Sequence, residues 1–174
     1  LTGYDIEMAK AVSEKLGLEF EFQTIDWSMK ESELNAGNID LIWNGYSITD
    51  TRRQQVAFSE PYLENRQLII TLANSAVSTK ADLAGKTIAV QKESSALEAG
   101  RSQAIVVDEV LARYVMKQRG QEKYKVLDEN FGTEQYAVGM RKQDTTLLEK
   151  INEAMKACNE DGTTAVLNAK WFGE

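Results

Sequence analysis

Apolar residues recur along the first part of the chain with two alternating periods, one typical of helices and one typical of strands. Apolar positions in residues 6–16 fall three or four residues apart and stop at Gly17, which predicts a helix with a glycine at its C-terminal end. Residues 18–23 alternate apolar and polar side chains, which predicts a half-buried strand. Residues 28–36 form a second helical pattern, and the nearly continuous apolar run 39–43 predicts a strand buried on both faces.

Helix and strand patterns continue to alternate after the only proline, Pro61. The predicted strands are residues 67–72, 86–90, 103–107, 124–127 and 135–140. The predicted helices are residues 78–85, 109–116, 145–158 and 163–170. This alternation predicts an α/β architecture with mainly parallel sheets. In such sheets ligands bind beyond the carboxyl ends of the strands, so the residues that follow each apolar run are the candidate site residues.

An arginine occupies an electrostatically unfavourable place beyond the run 39–43. Thr49 suits an N-cap, so Arg52 falls at the third position of the predicted helix, where the helix macrodipole disfavours a cation. Local rules are most often broken at functional sites, and an arginine beside free backbone N–H groups suits a carboxylate or a phosphate. We therefore predict that Arg52 binds an anion. The alternative is that Arg52 and Arg53 form a solvated basic pair.

Small or polar side chains follow three of the predicted strands. Asn44, Gly45 and Ser47 follow the first of these strands, Gln91 and Ser95 the second, and Asp108 the third. A ligand that offers a carboxylate to Arg52 and an ammonium to Asp108 would satisfy both charges, and a buried unpaired charge is costly. An α-amino acid has this polarity.

Each candidate also has a simpler structural interpretation. Asp108 is a good N-cap for the helix that follows it, and Ser95 suits a cap or a loop. Trp27 lies at a strand end, where it either packs in the core or contacts a ligand side chain, whereas Trp43 lies within an apolar run and is assigned to the core. A glycine at position 45 is explained in either case, because a close approach of the backbone to another group leaves no room for a Cβ.

The composition narrows the classes of function. Asp and Glu number 27 and Lys and Arg number 20 in 174 residues, so the net charge is −7 and no basic stripe supports nucleic-acid binding. The absence of histidine excludes Ser-His-Asp and Cys-His catalysis and the common histidine-containing metal sites. No calcium-loop motif is present, and we predict no metal, no cofactor and no catalytic residue. Cys158, the only cysteine, falls on the apolar face of a predicted helix and is assigned to the core.

Five segments of the sequence carry a resemblance to one family. They are LTGYDIEMAK at residues 1–10, NGYSITDTRR at 44–53, FSEPY at 58–62, VDEV at 107–110, and DGTT at 161–164 through KWFG at 170–173. Over essentially the whole chain, the sequence resembles the polar amino-acid-binding proteins of bacterial ABC importers. The resemblance implies a periplasmic-binding-protein-like (type II) architecture, in which two α/β lobes are joined by two crossover strands and close over one amino acid by a hinge motion.

The resemblance implies a role for the charged candidates and their neighbours. Arg52 corresponds to the arginine that binds the α-carboxylate of the ligand, and Ser47 corresponds to its hydroxyl partner. The backbone of Asn44 and Gly45 lies nearby in the family. Asp108 corresponds to the aspartate that binds the α-ammonium.

Three further candidates correspond to other ligand contacts of the family. Trp27 falls where the family often has an aromatic or apolar wall. Gln91 and Ser95 fall on contacts made by the second lobe. Because Gln91 stands where some members have a cation, a ligand with a neutral side chain is favoured over one with an acidic side chain.

The resemblance also implies the boundaries of the lobes. Residues 1–64 and 139–174 are assigned to the first lobe. Residues 67–137 are assigned to the second lobe, with hinges near 64–67 and 137–139.

Two stretches of the family pattern have no counterpart in this sequence. One is a first strand, which in the family precedes the segment beginning here at Leu1. The other lies between Ala96 and Leu97, where the family has two helices and an intervening strand. Either these residues belong to the protein and are missing from the sequence, or the second lobe is truncated. In a truncated lobe the edge strands either stay loose or pair with another copy of the chain.

The predicted function is an extracytoplasmic receptor that delivers a polar L-amino acid to an ABC permease in the membrane, and not an enzyme. The expected location is the periplasm or the cell exterior after removal of a signal peptide, either free or lipid-anchored. The expected state is a monomer when the chain is intact, and a strand-exchanged dimer if it is truncated. Two alternatives are a ligand-sensing module of a signalling receptor and a dehydratase-like enzyme on the same fold, against which the absence of histidine argues.

Overall fold

The structure is a computed structural model that describes residues 1–86, residue 88 and residues 104–172. Its helices are α1 (Tyr4–Leu16), α2 (Lys30–Ala36), α3 (Asp50–Arg53), α4 (Glu109–Arg119), α5 (Thr145–Glu160) and α6 (Thr163–Phe172). Its strands are β1 (Ala57–Phe58), β2 (Leu63–Leu72), β3 (Ile105–Asp108), β4 (Tyr124–Tyr136) and β5 (Gly139–Met140). Short 3-10 turns occupy Trp27–Met29, Ala81–Leu83 and Gln121–Lys123.

The chain forms two compact units. The first unit comprises Leu1–Leu63 and Gln135–Glu174, and the second comprises Glu64–Glu134. Strands β2 and β4 each contribute residues to both units, because β2 begins at Leu63 and β4 ends at Tyr136. The predicted lobe boundaries and their hinge motion stay predictions.

Glycines end the first two helices where the sequence predicts. Gly17 follows α1 with a φ of 62°, and its N–H donates to the carbonyl of Glu14 at 3.2 Å. Gly37 follows α2 with a φ of 81°. Left-handed backbone is readily adopted only by glycine, so the position of the glycine in the sequence marks the end of each helix.

The core of the first unit is built by α1, α5 and α6. Val12, Ile151 and Cys158 are fully buried there, and Phe20 packs against the same cluster. The apolar stripes of the helices therefore meet as their 3.6-residue period predicts. The assignment of Cys158 to the core is confirmed.

Two strands predicted in the first unit are wrong. Residues 18–23 form no strand, and residues 39–43 make only an isolated antiparallel bridge. That bridge joins Ile42 to Gly139 through N–H to carbonyl bonds of 2.9 and 3.0 Å in the two directions. An apolar pattern shows that a segment has a buried face, whereas a strand also needs a neighbouring backbone along its length.

The pairs β1–β5 and β2–β3 are antiparallel, whereas mainly parallel sheets were predicted. Strand β1 pairs with β5, and the second sheet has the order β3-β2-β4, with β2 antiparallel to β3. The prediction of parallel sheets depended on the strands expected at 18–23, 39–43 and 86–90. The first two are absent, and most of the third lies outside the described residues.

Strand β2 is the centre of the second unit and is buried on both faces. Ile69 joins a cluster with Val106 and Leu127 on one face. Leu68 and Ile70, which point the other way, pack against α4.

Within the part of the chain that the structure describes, no helix combines the length and the apolar character needed to cross a bilayer.

We expect Ile151→Ala to lower the free energy of unfolding by about 2–5 kcal/mol, because the lost methyl groups leave a cavity in the core of the first unit. The matched control is Val166→Ala, since Val166 lies largely exposed on α6 and its loss should change stability by less than about 0.5 kcal/mol. Urea unfolding followed by tryptophan fluorescence measures both. Equal effects of the two substitutions would contradict the core assignment of Ile151.

Candidate functional site

The candidate residues of the first unit surround the ring of Tyr46. This ring is fully buried and stacks on Phe58 with 5.1 Å between centroids. Trp27 meets it edge-on at 6.0 Å, and the guanidinium carbon of Arg52 lies 4.7 Å from its centroid. The hydroxyl of Tyr46 donates to Glu31 Oε1 at 2.8 Å. Tyr46 was not among the predicted ligand-binding residues. As the one aromatic residue in a run of small polar residues, it could have been predicted as a buried support for its neighbours.

Helix α3 is only four residues long, so Arg52 lies close to both of its ends. Thr49 Oγ1 accepts the N–H of Arg52 at 3.2 Å, so the predicted N-cap is confirmed. However, α3 ends one residue later, at Arg53, and Arg52 therefore also lies in its last turn. A cation is favoured at that end of a helix, so in this four-residue helix the two effects oppose each other and the macrodipole does not single out Arg52.

Burial, and not the helix dipole, singles out Arg52. Its side chain is 4% exposed, whereas the next residue, Arg53, is exposed. The Nη1 of Arg52 donates to the carbonyl of Ser47 at 2.9 Å. This bond and the face of Tyr46 offset part of the cost of removing a guanidinium from water. The alternative of a solvated basic pair fits Arg53 but is wrong for Arg52.

Gly45 makes the close approach that the sequence predicts, and its partner is a tyrosine. An added Cβ would lie 3.3 Å from the ring of Tyr136, and the φ of Gly45 is 56°. Its N–H donates to Asp5 Oδ2 at 2.8 Å. Asp5 lies in the segment LTGYDIEMAK, and sequence reasoning gave it no role because its bond to Gly45 spans 40 positions of the chain.

Asp5 also lies beside two buried tyrosine hydroxyls. Burial raises the pKa of Tyr4 to about 12, and the charge of Asp5 adds to this effect. The pKa of Tyr62 is also raised well above its ordinary value, first by burial and then by Asp5. Both phenols therefore stay neutral to a higher pH than an exposed tyrosine would.

In the second unit, Asp108 ends β3 as predicted, but its side chain does not cap the helix that follows. Asp108 holds the N-cap position of α4 without a side-chain cap bond. The N–H of Glu109 donates instead to Asn65 Oδ1 at 3.1 Å. Asp108 Oδ1 accepts hydrogen bonds from Asn65 Nδ2, at 3.2 Å, and from Gln67 Nε2. The interpretation of Asp108 as a side-chain N-cap is wrong.

The chain matches a known family along its whole length. Residues 1–174 fit the model of the bacterial extracellular solute-binding proteins, family 3. The chain belongs to this family. Sequence-similar members include the arginine-binding extracellular protein ArtP of Bacillus subtilis, with 26% identity over 99% of this chain and 78% of ArtP. That alignment extends over 199 positions, so ArtP has residues inside the matched span that this 174-residue chain lacks.

Solved structures of solute-binding proteins share the fold of this chain. One is an ABC transporter substrate-binding protein from Streptococcus pneumoniae with bound histidine, which is 39% identical with a TM-score of 0.92 over 99% of this chain and 84% of that one. Another is an ancestral arginine-binding protein bound to glutamine, 34% identical with a TM-score of 0.90 over 99% of this chain and 88% of that one. The predicted α/β, periplasmic-binding-protein-like fold is confirmed.

The structure of this solute-binding protein brings together some of the predicted ligand-binding residues. Trp27, Gly45, Ser47 and Arg52 lie around Tyr46 in the first unit, and Asn44 is exposed at the start of the same loop. Asp108 lies in the second unit. Gln91 and Ser95 lie outside the described residues. In the described part of the chain, no three acidic or cysteine side chains are grouped to hold a metal ion.

We expect Gly45→Ala to destabilise the solute-binding protein by about 2 kcal/mol or more, because the new Cβ would meet the ring of Tyr136 in addition to the strain of left-handed backbone. The matched control is Gly37→Ala, whose φ is also positive but whose Cβ would enter open space. That variant should lose only about 1 kcal/mol. Guanidinium unfolding measures both, and equal losses would show that the ring does not limit position 45.

We expect stability to fall as the pH rises from about 10 to 12. An unfolded tyrosine ionises near pH 10, whereas the pKa of folded Tyr4 is about 12, so the folded state holds a proton that the unfolded state releases. The stabilisation is fully present below pH 10, and about 2 kcal/mol is lost by pH 12, where half of the folded Tyr4 is still protonated. Tyr4→Phe should reduce this fall, and Tyr114→Phe, at an exposed tyrosine, should not. Thermal melts from pH 8 to 11 measure it, and identical profiles for both variants would contradict the expectation.

Proposed function

We propose that this chain binds one polar L-amino acid outside the cytoplasm and delivers it to the permease of an ABC importer. The burial of Arg52 carries the proposal, because a guanidinium removed from water in a solute-binding protein is well suited to a ligand carboxylate. Family membership supports it. Similar proteins have been solved with bound histidine, glutamine or arginine, which supports an α-amino acid as the ligand class.

We assign the α-carboxylate of the ligand to Arg52 and Ser47. These two residues already contact each other through the Arg52 Nη1 bond to the Ser47 carbonyl. We assign the α-ammonium to Asp108, whose carboxylate is held by two side-chain amides. The further assignments are Trp27 to the ligand side chain, and Asn44, Gly45, Gln91 and Ser95 to additional contacts.

We propose that the bound amino acid is released unchanged and that the protein acts as a monomer. The chain has no histidine, which is the most common general acid or base in enzymes. Chromatography of each amino acid after prolonged incubation with the protein tests for turnover. Light scattering of the purified protein tests for the monomer, and a dimer would contradict this part of the proposal.

We expect Arg52→Ala to weaken amino-acid binding by about 100-fold or more, because the ligand carboxylate loses its charge-assisted hydrogen bonds to the guanidinium. Arg52→Lys should also weaken binding, since an ammonium cannot reproduce the planar fork of a guanidinium. The matched control is Arg53→Ala, which removes an exposed cation from the same short helix and should bind normally.

A thermal-shift screen of the wild-type protein against the twenty amino acids comes first, because a ligand that binds only the folded state raises the melting temperature. Calorimetry then measures the affinity of each variant for the amino acid with the largest shift. Normal binding by Arg52→Ala, or equal losses in Arg52→Ala and Arg53→Ala, would overturn the assignment of the carboxylate to Arg52.

A further inference from the structure

Two buried side-chain amides of the second unit converge on the same two carboxylates. Asn65 and Gln67 are 2% and 6% exposed. Asn65 Nδ2 donates to Asp108 Oδ1 at 3.2 Å and to Glu134 Oε1 at 2.7 Å. Gln67 Nε2 contacts the same two oxygens. Each amide therefore bridges Asp108 and Glu134.

The sheet places these four side chains together. Asn65 and Gln67 are two residues apart on β2, so they point to the same face. Gln67 lies directly opposite Asp108 in the antiparallel register of β2 and β3. Glu134 belongs to β4, which neighbours β2 on its other side. The cluster thus draws on all three strands of this sheet.

The amide of Asn65 has its orientation fixed from its other end. Its Oδ1 accepts the N–H of Glu109, the first residue of α4, at 3.1 Å. Because the oxygen is engaged by a backbone donor, the NH₂ group must face the carboxylates. Asn65 therefore links the direction of the Asp108 carboxylate to the start of α4.

Amide donors suit a carboxylate that must bind a cation. An amide orients the carboxylate but brings no charge, so it does not compete with a cationic group of a ligand as an arginine or lysine would. A buried amide is costly unless it is bonded, and here both NH₂ groups are used by carboxylates.

We propose that Asn65 and Gln67 are positioning residues that hold the Asp108 carboxylate in the direction needed to receive the ammonium of the ligand. Glu134 takes part by accepting from the same two amides, which fixes their rotation. This inference rests on the proposed function, since it takes the ligand to be an α-amino acid. It adds Asn65, Gln67 and Glu134 to the part of the site that binds the ammonium. Asn65 and Gln67 act through Asp108, and Glu134 acts through the two amides.

The test compares amino acids with their des-amino analogues, which keep the carboxylate and the side chain but lack the ammonium. The probes are L-arginine, L-histidine and L-glutamine, and calorimetry is continued with the one that the wild-type protein binds most tightly. Asn65→Leu and Gln67→Leu should each weaken binding of the amino acid by about tenfold or more. Both variants should leave the affinity for the des-amino analogue within about twofold of wild type, because that ligand makes no use of Asp108.

Two further variants separate positioning from a general structural effect. In an Asp108→Asn background, Asn65→Leu and Gln67→Leu should cause little additional loss, because there is no carboxylate left to orient. Thr71→Val, farther along β2 and outside the predicted hinge at 64–67, is the control and should bind normally. Equal weakening of the amino acid and its des-amino analogue would overturn the proposal. Gln67→Leu keeps the bond from Glu109 to Asn65, so it provides the test even if Asn65→Leu does not fold.

A measurement on the free protein separates this inference from the proposed function. The side-chain amide signals of Asn65 and Gln67 in proton–nitrogen spectra are assigned by their loss in the two leucine variants. Both signals should move in Asp108→Asn, and no movement would overturn the positioning role alone. Absence of binding of all three amino acids to the wild-type protein would overturn the proposed function, and the ammonium role of the amides with it.

Discussion

The burial of the Tyr46 ring is the interaction on which the candidate site of the first unit depends. Phe58 and Trp27 fix the position of the ring, and its hydroxyl is tied to Glu31. The ring also explains why position 139 is a glycine, because an added Cβ there would lie 2.8 Å from Tyr46 Cε1. Arg52 is thus presented from a rigid support, and a binding group whose support is rigid loses little conformational entropy when a ligand arrives.

The two charged candidates are positioned by different means in the two units. Arg52 has an aromatic face and a backbone carbonyl beside its guanidinium, whereas Asp108 is held by the amides of Asn65 and Gln67. The four supports named here are themselves uncharged, so each can fix the direction of a charged side chain without adding a charge. A fixed direction matters because binding through charged groups depends on geometry.

Local signals in the sequence were sufficient for the longer helices, whereas the helix predicted at 78–85 is only a 3-10 turn at Ala81–Leu83. Non-local contacts limited the rest. Gly17 and Thr49 could be predicted as caps because a cap depends on a few neighbouring residues. The prediction of a strand at 39–43 was wrong, because a strand needs a backbone partner that is distant in the sequence. Among site residues, burial distinguished Arg52 from Arg53, and no pattern in the sequence contains that information. Asn65 was missed for the same reason, since its carboxylate partners are remote in the chain.

The buried position of Cys158 has a consequence for the redox behaviour of this extracellular-family protein. Free thiols outside the cytoplasm are exposed to oxidants and to disulfide exchange, which require a reachable thiolate. Cys158 is fully buried, and burial raises its pKa, so it combines poor access with a low thiolate fraction. The native fold therefore shields its single thiol from both reactions, and crosslinking through Cys158 requires the first unit to open.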